Sequence, residues 1–142
     1  MRLRVVAVGK LKDAALEGLC DRYVRRLRPF MATEVTEVRD LAALREAWRR
    51  QPGPHVVLDE RGDEPTTREF AAWLGDAQAR GGRLMSFYIG DAMGFDDADR
   101  GAADRLLALS RLTLPHRLAR LLLLEQLYRA ATLLAGHPYH HD

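Results

Sequence analysis

An α/β sandwich built around a mainly parallel sheet, covered by helices on both sides, is the fold that the sequence predicts. Three observations predict it. Short apolar runs at residues 2–8, 55–58 and 83–89 alternate with longer stretches of helical period, the pattern left by strands joined through crossover helices. Turn formers, among them Gly9, Pro29, Gly53, Pro54, Gly81 and Gly82, punctuate these segments. The 142 residues contain no internal repeat or linker and suit one domain with a modest core.

Taken in order, residues 2–8 (RLRVVAV) read as a buried strand and residues 9–12 as the turn that leaves it. Leu16, Leu19, Cys20, Tyr23, Val24 and Leu27 keep a helical period over about 13–28. Near the end of that helix gather Arg22, Arg25, Arg26 and Arg28, either a solvated face complementing the helix dipole or a patch for phosphates. Pro29 stops the helix, and TEVTEV (33–38) alternates as a half-exposed strand. A second helix over 41–50 closes in the loop 51–54. Residues 55–58 predict a short buried strand, with an acidic loop over 59–65 behind it. Thr66 or Thr67 caps a third helix reaching about Arg80, which Gly81 and Gly82 end. RLMSFYI (83–89) is the strongest strand. Beyond the loop 90–95 a helix is predicted from about 97 to 107, and a last short strand near 111–114.

No apolar run approaches the roughly 20 residues that span a bilayer, and the first nine residues are too short and alternating for a signal peptide. A cytoplasmic protein without membrane attachment is expected. The single cysteine, Cys20, excludes an internal disulfide and reads as a buried helix residue. The net charge of +2 hides a segregation: residues 1–50 carry 12 Arg and Lys against 7 Asp and Glu, 51–104 carry 5 against 11, and 105–142 carry 5 against 2. Basic ends therefore flank an acidic middle.

The stretch 109–142, LSRLTLPHRLARLLLLEQLYRAATLLAGHPYHHD, joins a short apolar segment to a long helix and a histidine-rich tail. Its leucines spread around most of the helix circumference, so the helix needs cover on two sides. One domain of this size has few elements to supply that cover, and a homodimer is expected. His116 and Arg120, like Glu125 and Arg129, are four apart and can meet on one face. Pro115 fits the first turn, and Gly136 is placed to end the helix.

These residues carry a resemblance. LSRLTLPHRLARLLLLEQLYRA followed by GHPYHHD is similar to the C-terminal signature of the SPOUT-class methyltransferases that modify N3 of a pseudouridine in large-subunit (23S) ribosomal RNA. VVLDERG (56–62), TTREFAAWL (66–74), FYIGDAMGF (87–95) and the N-terminal RLRVVAVGKLK extend it over nearly the whole chain. The resemblance implies a single SPOUT methyltransferase domain over 1–142, with a deep trefoil knot near the C-terminus that spacing alone does not reveal. It also implies S-adenosyl-L-methionine as cofactor, held between loops by Leu58, Gly90, Leu109, Ser110, Arg111, Leu112, Thr113 and Leu114. The leucines among them suit an adenine ring, which needs apolar walls and a few hydrogen bonds. The family's loop has two adjacent glycines and a third further on, whereas this chain has Gly90, Asp91 and Gly94. Asp91 either weakens cofactor binding or attracts the donor's positive charge.

Methyl transfer to an imide nitrogen needs that nitrogen to lose its proton, which makes a general base plausible. Tyr139 and His140 are the catalytic candidates, by residue type and by the family's matching tail. His116, Arg120 and Arg129 are candidates for positioning substrate; the structural alternative is a buried histidine for His116 and a pair with Glu125 for Arg129. No metal is expected. GDAMG is neither a dinucleotide fingerprint nor a phosphate loop, so a nucleotide-binding protein of another class loses its main support. The stronger rival is a catalytically silent RNA- or ribosome-binding module on the same fold. The chain carries no separate RNA-binding module, so ribosomal RNA, within the assembled ribosome, would be met by the dimer surface.

Overall fold

Alternation along each strand decides which residues meet which helices. In the computed structural model, which describes residues 1–141, the strands are β1 (Arg2–Val8), β2 (Thr33–Val38), β3 (His55–Asp63), β4 (Leu84–Ile89) and β5 (Arg105–Leu107). They pair, all parallel, in the order β2-β1-β4-β3-β5. Leu3, Val5 and Ala7 of β1 and Met85, Phe87 and Ile89 of β4 join one core with α1 (Ala14–Leu27), α3 (Thr67–Ala79) and α5 (His116–Leu134). Val6, Val8, Val57 and Tyr88 join the other, with Leu44 of α2 (Leu41–Arg49) and Phe95, beside the short α4 (Asp97–Ala102). Each fully buried leucine or valine side chain stabilises the fold by roughly 1.5–3 kcal/mol.

Local chemistry starts four of the helices. Asp13, Asp40, Thr66 and Asp96 each accept a backbone N–H of the first turn, and Thr66/Glu69 and Asp96/Asp99 are reciprocal capping boxes. Each such cap is worth about 1 kcal/mol. α5 differs: Pro115 precedes it without a side-chain cap, one position earlier than the first-turn proline that the sequence suggests. Gly136 ends α5 at φ 72, a conformation that favours glycine.

Three boundaries correct the sequence reading. β3 runs on to Asp63 where an acidic loop is expected, although Leu58 and Asp63 both pair with Leu107 and the intervening residues bulge. Gly62 permits this, since a Cβ there would lie 2.6 Å from the Leu106 carbonyl carbon. The helix expected to reach 107 stops at Ala102, and Arg105–Leu107 is the edge strand. Asp104 donates its N–H to the His55 carbonyl and its carboxylate accepts the His55 N–H at 2.6 Å, which pulls the chain into the sheet. Residues 111–114, expected as a strand, are irregular.

Much of the cover over α5 comes from its own chain. α1 and α3 flank it within the same chain, burying Leu123, Leu124, Leu127, Ala130 and Ala131. Only Leu118, Leu122 and Leu134 among its leucines stay substantially exposed.

Beneath α2, a buried polar network holds the second core. Arg4 donates to Ser86 Oγ, to the Ala47 carbonyl and to the Tyr88 hydroxyl at 3.0 Å, and that hydroxyl lies 2.8 Å from His55 Nδ1. The Trp48 ring stacks on Tyr88 at 5.0 Å. Burial lowers the His55 pKa, against the nearby Asp104 carboxylate and with the nearby Arg4 charge. A histidine that resists protonation only when folded contributes stability that is full above its unfolded pKa of about 6.5 and lost as pH falls below it. Thermal melts between pH 7.5 and 5 should therefore show a fall that is shallower in His55→Gln; parallel curves would exclude the linkage.

Candidate functional site

Loops leaving the carboxyl ends of β3, β4 and β5 enclose a cleft of about 340 Å³, where open α/β sheets bind ligands and in the size range of small-molecule sites. Leu58, Gly90, Leu109, Ser110, Leu112, Thr113 and Leu114 line it, as does His116 at the start of α5. Arg111 does not; its guanidinium pairs with Glu64. Leu112 is 77% exposed and Met93 91% exposed, so only the other leucines form buried or half-buried wall.

Backbone geometry shapes the floor. A Cβ on Gly90 would come within 3.1 Å of the Phe95 ring, so glycine keeps strand and loop close. Asp91 Oδ1 accepts the Met93 N–H at 2.9 Å, and the Asp91 carbonyl accepts the Gly94 N–H at 3.0 Å. The residue that departs from the family's glycine pattern thus braces the turn and adds a negative charge to the cleft wall.

Charged ties hold the loops together, and sequence reasoning missed them. Arg100 donates Nε to Asp59 at 2.8 Å, Nη2 to the Phe95 carbonyl at 2.7 Å and Nη1 to Asp97 at 2.7 Å. The Asp59 and Arg100 side chains are only 7% and 19% exposed, and Asp59 raises the Arg100 pKa above its ordinary value. Thr113 donates to Glu60 at 3.0 Å, joining the segment before α5 to the bulge of β3. The i,i+3 spacing of Asp97 and Arg100 is visible in the chain; a partner 41 residues away is not.

The tail lies elsewhere. Arg129 Nε and the Tyr139 hydroxyl both donate to Glu125 Oε1, at 3.0 and 3.1 Å, and Tyr139 packs its ring against Tyr128 at 4.6 Å. Arg129 Nη1 is 3.2 Å from His140 Nδ1; a guanidinium only donates, so Nδ1 accepts. Burial first, then the Tyr23 and Glu125 interactions, push the Tyr139 phenol up, which keeps it protonated. His116 and Arg129 are 13 residues apart on one helix, about 20 Å at the α-helical rise. Cleft and tail therefore sit at opposite ends of α5. His141 is exposed, and Asp142 lies outside the described residues.

Arg120, expected to position substrate, is committed internally. It is 3% exposed, donates Nη1 to Glu37 at 2.6 Å and Nη2 to the Gly9 carbonyl at 3.0 Å, and ties α5 to the ends of β1 and β2. Cys20 is buried as expected, and burial raises its thiol pKa.

Fold and cleft together define an α/β protein with a ligand-sized cleft at the carboxyl ends of a parallel sheet. The structure is similar to that of a probable methyltransferase from Bordetella pertussis Tohama I, with a TM-score of 0.58 at 15% identity over 92% of this chain and 96% of that one. The family described as predicted SPOUT methyltransferase matches residues 1–140, and the chain belongs to that family. Curated relatives named ribosomal RNA large subunit methyltransferase H include one from Geobacter metallireducens, 42% identical, and one from Thiobacillus denitrificans, 44% identical. Each match covers 100% of both chains.

An internal role for Arg120 has a measurable consequence. Arg120→Met should lose about 2 kcal/mol, the scale of hydrogen bonds to a charged group, and lower the melting temperature by roughly 6 °C for a chain of this length. An unaltered melting temperature would return Arg120 to the substrate-binding candidates.

Proposed function

We infer that the cleft holds S-adenosyl-L-methionine and that the protein methylates N3 of a pseudouridine in large-subunit ribosomal RNA. The observation that carries this is the cleft itself, because the segment 109–114 that bears the family motif forms one of its walls. Its composition fits the donor: Leu58, Leu109 and Leu114 offer apolar surface, and Asp91 brings negative charge toward a cationic sulfonium or amino group. When bound, the donor supplies an electrophilic methyl group. The names of full-length relatives support the ribosomal RNA substrate.

The chain's own residues would do the following. Ser110, Thr113 and the turn braced by Asp91 orient the donor. His116, at the mouth of the cleft, meets the incoming base. Tyr139 and His140 act on the imide that loses its proton. As placed, neither is a ready base: Tyr139 is a protonated phenol, and His140 Nδ1 is engaged by Arg129. Both groups are engaged within their own chain, the phenol donating to Glu125 and Nδ1 accepting from Arg129, so each acts on the imide by exchanging that partner for the incoming base.

One protomer alone separates cleft from tail by about 20 Å, so the proposal includes a homodimer in which the tail of one copy faces the cleft of its partner. The exposed Leu118 and Leu122, near the cleft end of α5, give that dimer apolar surface. A single domain with the trefoil knot of its class, acting in the cytoplasm on the assembled ribosome, completes the proposal.

Calorimetric titration with S-adenosyl-L-methionine should show saturable binding in both the parent and Asp91→Gly. Binding restored only in the variant would favour the silent module. Deleting residues 139–142 should abolish methylation of purified ribosomes and leave donor binding intact, whereas full turnover without the tail would remove it from the chemistry.

A further inference from the structure

The arginines of this chain fall into two populations. Arg45, Arg49, Arg50, Arg100, Arg105 and Arg111 hold carboxylates of their own chain. Arg22, Arg25, Arg26 and Arg28, at the end of α1, are exposed and, among the described residues, pair with no carboxylate. Even Asp21 and Arg25, correctly spaced on one helix face, do not form a pair. Arg80 and Arg83 are likewise exposed and unpaired with a carboxylate among the described residues. They follow α3 and precede β4, at the amino ends of the parallel strands, the same edge to which α1 delivers its C-terminus.

This edge is also where the tail sits. The Arg26 guanidinium lies 5.6 Å from the Tyr23 ring centroid and 6.0 Å from that of Tyr128, and Tyr128 packs edge-on against Tyr139. Phe30, just beyond α1, meets both Tyr128 and His137. The basic end of α1 and the tail are thus one continuous surface, joined by aromatic rings. The acidic groups nearby are Asp21, Asp76, Glu34, which pairs with Arg2, and Glu125, which pairs with Arg129. Basic charge outweighs them.

We propose that this basic edge is the RNA-backbone contact of the protein: Arg22, Arg25 and Arg28, supported by Arg80 and Arg83, bind phosphates of the structured RNA and lay the target nucleotide over Tyr139 and His140. The planar guanidinium fork matches phosphate oxygens, and unpaired arginines need shed no intramolecular partner to bind them. Arg26, leaning on Tyr23 and Tyr128, couples the patch to the tail. Contacts of this kind position without reading sequence. The inference rests on the ribosomal RNA reading above.

The test compares the full-length parent, Arg22→Ala/Arg25→Ala/Arg28→Ala, the corresponding triple lysine variant, and Arg49→Ala/Arg50→Ala on α2 as a control. Purified ribosomes are titrated from 50 to 200 mM salt, alongside donor binding. Each lost phosphate contact should reduce the slope of log affinity against log salt by about 0.7–0.9, so the slope of the alanine triple should fall by about 2–3. Its KM for ribosomes should rise at least tenfold while donor affinity holds. The lysine triple should keep most of the slope, and the α2 control all of it. An alanine triple with parental slope and KM would overturn the proposal while leaving the enzyme reading intact. A parent that binds donor but shows no salt-dependent binding to ribosomes would overturn both.

Discussion

The length and burial of α5 are the constraint on which the rest of the molecule depends. A parallel sheet must be covered on both faces, and on one of them α5 lies between α1 and α3 over Met85, Phe87 and Ile89. With its middle fixed this way, the 19 residues span about 28 Å at the helical rise. The first residue is then held at the cleft and the last turns at the opposite edge. Arg120 locks the helix axially by bonding to Glu37 and Gly9 at the ends of two strands. The dimer proposed above is what would bring the cleft of one copy to the tail of the other.

Around the cleft, packing gives way to charge. The acidic bulge of β3 is a hub: Asp59 holds Arg100, Glu60 holds Thr113, Glu64 holds Arg111 and Asp63 lies beside Arg105. Through Arg100 it also reaches the Phe95 carbonyl in the loop after β4. Exposed pairs such as Arg105–Asp63 contribute little each. The Asp59–Arg100 pair, mostly buried and with three acceptors on one guanidinium, fixes loop geometry more firmly. The acidic middle of the chain is thus spent on internal order around the cleft, and the unpaired arginines are left at the far edge.

Local signals were legible wherever the physics is local. The cap at Thr66, the strand at 84–89, the helix at 41–49 and the glycine that ends α5 all follow from neighbours in sequence. Residues 105–107 show the limit. A short apolar run fits helix or strand equally by periodicity, and only the pairing of Asp104 and Arg105 with β3 decides it. The loops after β3 and β4 could be placed along the chain, whereas the segment 109–114 that also lines the cleft is irregular and not the expected strand. The ties of Asp59 and Arg120 could not be placed, since their partners are 41 and 83 residues away.

The sequence by itself determined the alternating α/β order, the two-faced burial of the sheet, the cleft-forming loops and, through resemblance, the methyltransferase class now shown by the family match. Only the tertiary structure decided the extent of β3, the internal role of Arg120, the state of the tail and the division of the arginines into paired and unpaired groups. The reason is physical: periodicity and capping act within a few residues, whereas burial of a charge and the choice of its partner depend on which distant segments the sheet order brings together.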